Sequence, residues 1–541
     1  MSPAAKGSGL WSAGSRGPGR QGTTMRSVRL RVLVALLVLA VVAVGGWQLL
    51  PSQQDSGRTV RVGTTDPVTS LDPAGAYDAG SWALFSNVFQ SLLTYEPGGV
   101  DPVPDAAKRC SFATGGLTTY TCELRDDLTF PSGRAVTAED VKYSFDRVKK
   151  IDSDVGPASL LSTLKSVEAS GDTVTFHLAV PDATFPFKVA TGAGSIVDRE
   201  RYPADALRSG GQVDGTGPYR LAGYTRGRTA ELTPNSRYRG AVDTGPPVEL
   251  RYYSDPDGLE KAWKARQVDV ATRQLPPRVL SGLNPSDPDQ RVTVADSSET
   301  RNLYLNTRSG SPLHKVDVRR ALAWLIDREQ LADTVYDGTV DPLYSLIPTG
   351  ITGHTTSFFD NYPARNEEKA RKLLTEAGVD LPVSFTYGYG VGSGAAAAEA
   401  QELKRQLEAG GLFKVTVKGY ERTDFQKRWA SGKLDAYAVG WIADYPDPDT
   451  FAAPFVGTGA TMNTGYSSKA VDAYIQESRQ YADRGRTAQD FRDVQEAVAG
   501  DVPIIPLWQR KEYVVTSADV GGGQYLADGN GVFRLWKLDW I

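Results

Sequence analysis

Histidine, cysteine and methionine are all scarce in this chain of 541 residues, which has three, two and three of them. The histidines, His177, His314 and His354, lie far apart, and none belongs to an H-E-x-x-H pair, so the sequence offers no ligand set for a zinc hydrolase. No metal site and no cofactor are expected. A G-x-S-x-G elbow and a G-x-x-x-x-G-K-[ST] loop are both missing, which removes the usual α/β-hydrolase nucleophile and the P-loop. Gly17-x-Gly19-x-x-Gly22 matches a dinucleotide fingerprint, but no strand precedes it, so the match is accidental. With 64 acidic residues, a carboxylate pair of the kind a secreted glycosidase uses stays open as an alternative. The body also lacks a basic stripe. Residues 1–31 hold six basic side chains and no acid, leaving 54 basic against 64 acidic residues in the rest, a net −10. That balance argues against nucleic acid as a partner.

What is present is a long, turn-rich body behind an apolar segment. The length suggests about three structural units, and 55 glycines with 32 prolines exclude a long helical bundle. Residues 1–31 read as a basic cytoplasmic tail without order, and residues 32–50 as an apolar run with Gln48 its only clearly polar member. Nineteen helical residues nearly cross a hydrocarbon layer, and the basic residues before them place the remainder outside the cell. The competing reading is a cleaved signal segment, for which Ala43-Val44-Gly45 offers a small-x-small site. Either reading exports the body beyond the linker 51–58. No cysteine follows the apolar run, so a lipid anchor is not expected. Cys110 and Cys122 flank the glycine turn Gly115-Gly116 in two strand-like segments. Outside the cell such a hairpin is expected to form a disulfide, with two buried free thiols as the alternative.

The body alternates strands and helices. Val60 and Val62 alternate in one strand, and Val174, Phe176, Leu178 and Val180 in another. Thr137, answered by Asp140, starts a helix with Val141, Phe145 and Val148 on its apolar face. A second helix follows Asp317 with Val318, Ala321, Leu322, Leu325 and Ile326 at helical spacing, and a third is bounded by Asn366 and Gly378. Mixed βα units of this kind predict layered α/β lobes.

Several segments, in order, resemble one family. They are Val60-Arg61-Val62-Gly63-Thr64-Thr65, Ser70-Leu71-Asp72-Pro73, Thr137-Ala138-Glu139-Asp140-Val141, Gly215-Thr216-Gly217-Pro218-Tyr219 and Val318-Arg319-Arg320-Ala321 with Ile326-Asp327-Arg328. Gly440-Trp441-Ile442-Ala443-Asp444-Tyr445-Pro446-Asp447-Pro448 and Pro503-Ile504-Ile505-Pro506-Leu507-Trp508 complete the set. The pattern is similar to bacterial extracellular solute-binding family 5, the oligopeptide and dipeptide receptors of ABC importers. The resemblance implies an α/β, two-lobed periplasmic-binding fold of type II, with mixed sheets and an extra subdomain. Lobe I would comprise 59–92, 215–297 and 516–541, the inserted subdomain 93–214, and lobe II 298–515. It further implies a monomer with no catalytic activity, which binds a peptide or other small solute between hinged lobes and passes it to permease subunits in the membrane.

By the same resemblance, Asp444 would pair with the ligand's α-ammonium, and Trp441 would form an apolar wall beside it. Tyr77 and Trp82, just after the Leu71-Asp72-Pro73 loop, would bring lobe I to the ligand. Tyr387 and Tyr389 open a glycine-rich stretch, 387–394, where relatives place another contact loop. An arginine for the ligand's carboxylate is expected near that loop in dipeptide receptors, and this chain has none there. Asp447 and Asp449 read as residues that cap backbone groups in a proline turn. Receptors of the same fold for an oligosaccharide or a metal chelate, and a membrane-tethered ligand sensor, are the alternatives within the binding class; the scarcity of histidine disfavours nickel.

Overall fold

The computed structural model describes residues 57–541, apart from 244, 393 and 528–530. The basic tail, the apolar segment 32–50 and most of the linker fall outside the described residues. Among those described, no helix is long and apolar enough to cross a membrane.

Two long strands organise the body. Gln290–Leu305 and Ile504–Ser517 run antiparallel over nearly their whole length. On one flank, one of them pairs with Val270–Thr272, beside which Val60–Thr64, Val248–Tyr252, Thr229–Pro234 and Tyr219–Thr225 follow in turn. On the other flank lie Ala436–Trp441, Val383–Gly390 and Phe413–Tyr420. One continuous mixed sheet therefore belongs to two separately packed bodies. One core gathers Leu303, Leu322, Phe385, Leu403, Phe455 and Ile505; the other gathers Val62, Phe85, Leu232, Leu250, Val514 and Leu535. The ladder of the crossing strands is irregular between Asp296 and Thr300 and again between Arg301 and Asn302. Such bulges bend a strand and leave groups outside the ladder. The arrangement is an α/β, two-lobed periplasmic-binding fold.

A third core belongs to a four-stranded antiparallel sheet, in the order Ala107–Phe112, Thr119–Leu124, Thr173–Leu178 and Leu164–Ser170. The helix Ala138–Ile151 covers it with Val141, Phe145 and Val148 buried, and the Asp140 carboxylate accepts from the Thr137 backbone N–H at 3.0 Å. Val180, expected in the third of these strands, lies beyond its end and is 50% exposed. Pro181 follows it, and a proline cannot donate to the ladder. The other two helices run over Val316–Leu325 and Glu367–Glu376; Asn366 caps the latter by accepting from the Lys369 N–H at 2.9 Å.

Cys110 and Cys122 stand directly opposite in the first hairpin of the small sheet and are bonded, with S–S 2.05 Å. Closing a loop of this length is worth roughly 3 kcal/mol in chain entropy. Cys110→Ala/Cys122→Ala should therefore lower the unfolding free energy of this sheet by about that amount. Denaturant melts of the variant and the parent, with and without reductant, check it: reductant should shift the parent alone.

Candidate functional site

The loop after the first strand is tied down before it reaches the space between the lobes. The Asp72 carboxylate, 1% exposed, accepts from the Ala74 N–H at 3.0 Å and from both terminal nitrogens of Arg147, at 2.7 and 2.5 Å. It also accepts from the Arg208 N–H at 2.6 Å. Arg147 lies on the helix of the small sheet, so this buried pair fixes the loop from behind. Asp78 then caps the helix Ala79–Val88 through the Ser81 N–H. Tyr77 and Trp82 project on either side of that cap with rings stacked at 5.3 Å, and the Trp82 indole N–H donates to the Ala76 carbonyl at 3.1 Å. A side chain at Gly192 would strike the Trp82 ring at 2.6 Å, so glycine there leaves room for the indole.

From the opposite lobe, Ala436–Trp441 delivers Trp441 and, after a short turn, Asp444. The Tyr77 hydroxyl crosses the gap and donates to Asp444 Oδ2 at 2.7 Å, and the Thr450 hydroxyl donates to the same oxygen at 3.1 Å. Trp441 meets Tyr77 edge to face at 6.0 Å. A cavity of about 640 Å³ opens beside them, within the range of small-ligand pockets. Trp429, Gln426 and Lys427 of the helix Arg422–Ala430 also line it, as do Asp154 and Val155. Burial pushes the Asp444 carboxyl up to about 7, against the pull of its two hydroxyl donors.

The small-sheet subdomain also touches the lobe that carries Asp444. The Ala183 N–H donates to the Arg479 carbonyl at 2.8 Å, and Phe187 packs on Tyr445 at 6.0 Å. The motif loop is therefore two-faced: Asp444 lines the cavity, while its neighbour Tyr445 packs against the subdomain at Phe187.

Four of the six residues expected at the ligand, Asp444, Trp441, Tyr77 and Trp82, come together at this cavity. Tyr387 and Tyr389 do not line it. Tyr387 is buried in the core of its lobe, near Arg301 and Glu399, and Tyr389 packs over Gly419 of the neighbouring strand. The glycine stretch after them closes on the other lobe: a Cβ at Gly394, whose φ is +50°, would lie 2.9 Å from Gln274 Oε1. The expected contact loop thus brings Gly394 close to Gln274, and neither tyrosine belongs to the cavity. Asp447 and Asp449 do more than cap. Asp447 accepts from the Asp449 N–H at 2.9 Å, as a turn residue would, but it also holds Arg484 at 2.6 and 2.9 Å. Asp449 holds Arg479 at 2.9 and 3.0 Å, and this pairing outweighs burial to keep its carboxyl below the usual range. Thr450, Trp429 and Lys427 escaped sequence reasoning; nothing in their spacing sets them apart from an ordinary amphipathic helix. The described residues contain no group of three or more His, Cys, Asp or Glu able to hold a metal ion.

Two lobes joined by crossing strands, with a cavity at their seam lined by a carboxylate and aromatic side chains, are the architecture of a solute-binding protein. Residues 101–463 match the family of bacterial extracellular solute-binding proteins, family 5 Middle, and the chain belongs to that family. Among curated relatives, it is 25% identical to the probable D,D-dipeptide-binding periplasmic protein DdpA of Escherichia coli, over 84% of this chain and 89% of that protein. It is 27% identical to di/tripeptide-binding protein 4 of Pseudomonas aeruginosa, over 81% and 87%. Among solved structures, the periplasmic binding protein DppA of Helicobacter pylori, in complex with the peptide STSA, superposes with a TM-score of 0.77. That match has 21% identity and covers 90% of this chain and 98% of the other.

Proposed function

We propose that this protein is the extracytoplasmic receptor of an ABC importer and takes short peptides, holding the α-ammonium on Asp444. The observation that carries the reading is the carboxylate at the seam, bonded across it by Tyr77 and walled by Trp82 and Trp441. An ammonium entering there gains a charge-assisted bond in a site shielded from water. Its proximity to aromatic faces adds to the attraction. The curated relatives described above are dipeptide and di/tripeptide receptors, which supports the same ligand class.

Within this reading, 59–92, 215–297 and 516–541 form lobe I of a type II receptor, 93–214 its inserted subdomain and 298–515 lobe II. The crossing strands act as the hinge, and the closed form is what the membrane permease recognises. The segment 32–50 tethers or exports the body, which works as a monomer and breaks no bond in its ligand. Calorimetric titration with trialanine and its N-acetylated form tests the proposal. The free-amine peptide should bind and change tryptophan fluorescence, while the acetylated one should bind at least tenfold more weakly. Equal affinity for the two would remove the ammonium from the account.

A further inference from the structure

Behind the main cavity, where the two crossing strands meet the floor of the cleft, lies a recess of about 30 Å³. Arg273, Ser297, Ser298 and Glu512 line it, and Arg273, Ile442 and Gly531 border both the recess and the main cavity. Glu512 is 3% exposed, yet neither of its carboxylate oxygens accepts a hydrogen bond; the Ser298 hydroxyl, 6% exposed, is equally unpartnered. Buried polar groups are normally satisfied, and an orphaned carboxylate is costly.

The charges around it do not balance. Arg273 Nε lies 3.2 Å from Asp66, and its Nη1 lies 3.6 Å from Glu512, within ion-pair reach but without a hydrogen bond. Arg510 is spent on Glu299, at 2.7 and 3.1 Å. Three carboxylates thus face two guanidinium groups, and Glu512 is the one left over. A water molecule would satisfy its hydrogen bonding but leave the surplus negative charge. A proton or a cationic donor removes both deficits, and the recess has room for one or two small polar groups. Burial pushes the Glu512 carboxyl up to about 7, with Arg273 and Arg510 pulling it back, so Glu512 is partly protonated at neutral pH.

We infer that this recess is a second cation subsite of the cavity, built to take the side-chain ammonium of a lysine- or ornithine-type residue in the bound peptide. Glu512 and the Ser298 hydroxyl would accept from it, while Asp66 keeps Arg273 turned aside. The inference rests on the peptide reading above and adds a side-chain preference to it. Calorimetric titration of the full chain with trialanine and with tripeptides carrying lysine or norleucine at each position in turn tests it. At one position, lysine should bind at least tenfold tighter than norleucine. Glu512→Gln should erase that preference and change trialanine affinity less than twofold. Trialanine binding with no preference for lysine at any position overturns this subsite and leaves the peptide reading standing. Equal weakening of lysyl and norleucyl peptides by Glu512→Gln also overturns it, since that result marks a structural carboxylate. Failure of every peptide to bind overturns both.

Discussion

Asp444→Asn should cost a free-amine peptide at least about 2 kcal/mol of binding, some thirtyfold, and leave the affinity of an N-acetylated peptide unchanged. Asparagine keeps the acceptor for Tyr77 and the shape of the side chain, so the change isolates charge. The same substitution should stabilise the empty protein. In the folded, ligand-free state the Asp444 carboxyl sits at about 7, whereas an unfolded aspartate titrates near 4. Between those values the folded chain holds a proton that the unfolded chain has lost, so this group's contribution to stability falls as pH rises from about 4 to about 7. The gap corresponds to roughly 4 kcal/mol when fully expressed, and partial contact with cavity water reduces it to about 2. Calorimetric melts of the two proteins should coincide near pH 4 and separate by pH 8, with the asparagine form the more stable. Coincidence at both would mean that Asp444 is ordinarily ionised when the site is empty. Binding at pH 7 should also release protons from Asp444, and more of them at pH 6 than at pH 8, read from titrations in buffers of different ionisation enthalpy.

The second large effect is expected behind the cavity, at the buried pair of Asp72 and Arg147. Asp72→Ala should destabilise the fold by about 3–5 kcal/mol, because it strands the Arg147 guanidinium, 2% exposed, without its partner. The arginine's other contacts, to the Pro203 and Ala206 carbonyls, are neutral and leave the charge in place. Since Asp72 also holds the turn that presents Tyr77, peptide affinity should fall with stability. Asp72→Ala combined with Arg147→Met should recover most of the stability, as an apolar side chain replaces the orphaned charge. Denaturant melts of the single and double variants check this; a single-variant loss under about 1 kcal/mol would show the pair to be dispensable.

These two carboxylates show what the sequence makes legible. Asp444 and Trp441 could be placed because they sit in one contiguous motif, 440–448, and Tyr77 and Trp82 because they follow the short loop of Asp72. The helix over Ala138–Ile151 was readable from its own capping residues and apolar face. Long-range pairing was not. Nothing local links Asp72 to Arg147, Asp449 to Arg479 or Asp447 to Arg484, and each pair closes only when separate elements dock. The same limit explains Tyr387 and Tyr389. Alternation along a strand marks two faces without saying which meets the cleft, and here Tyr387 turns into the core beside Glu399. Glu512 was equally hidden, since its isolation depends on two arginines being claimed by other acids.

The claim that everything else depends on is that the seam between the lobes traps an amine-bearing solute on Asp444. Native mass spectrometry of the purified full chain, after incubation with an equimolar set of free-amine and N-acetylated tripeptides, tests it most directly. The account predicts a one-to-one complex with a free-amine peptide, whose abundance Asp444→Asn lowers in line with a loss of affinity of about thirtyfold or more. A bare protein, or complexes formed equally with the acetylated peptides, would contradict it.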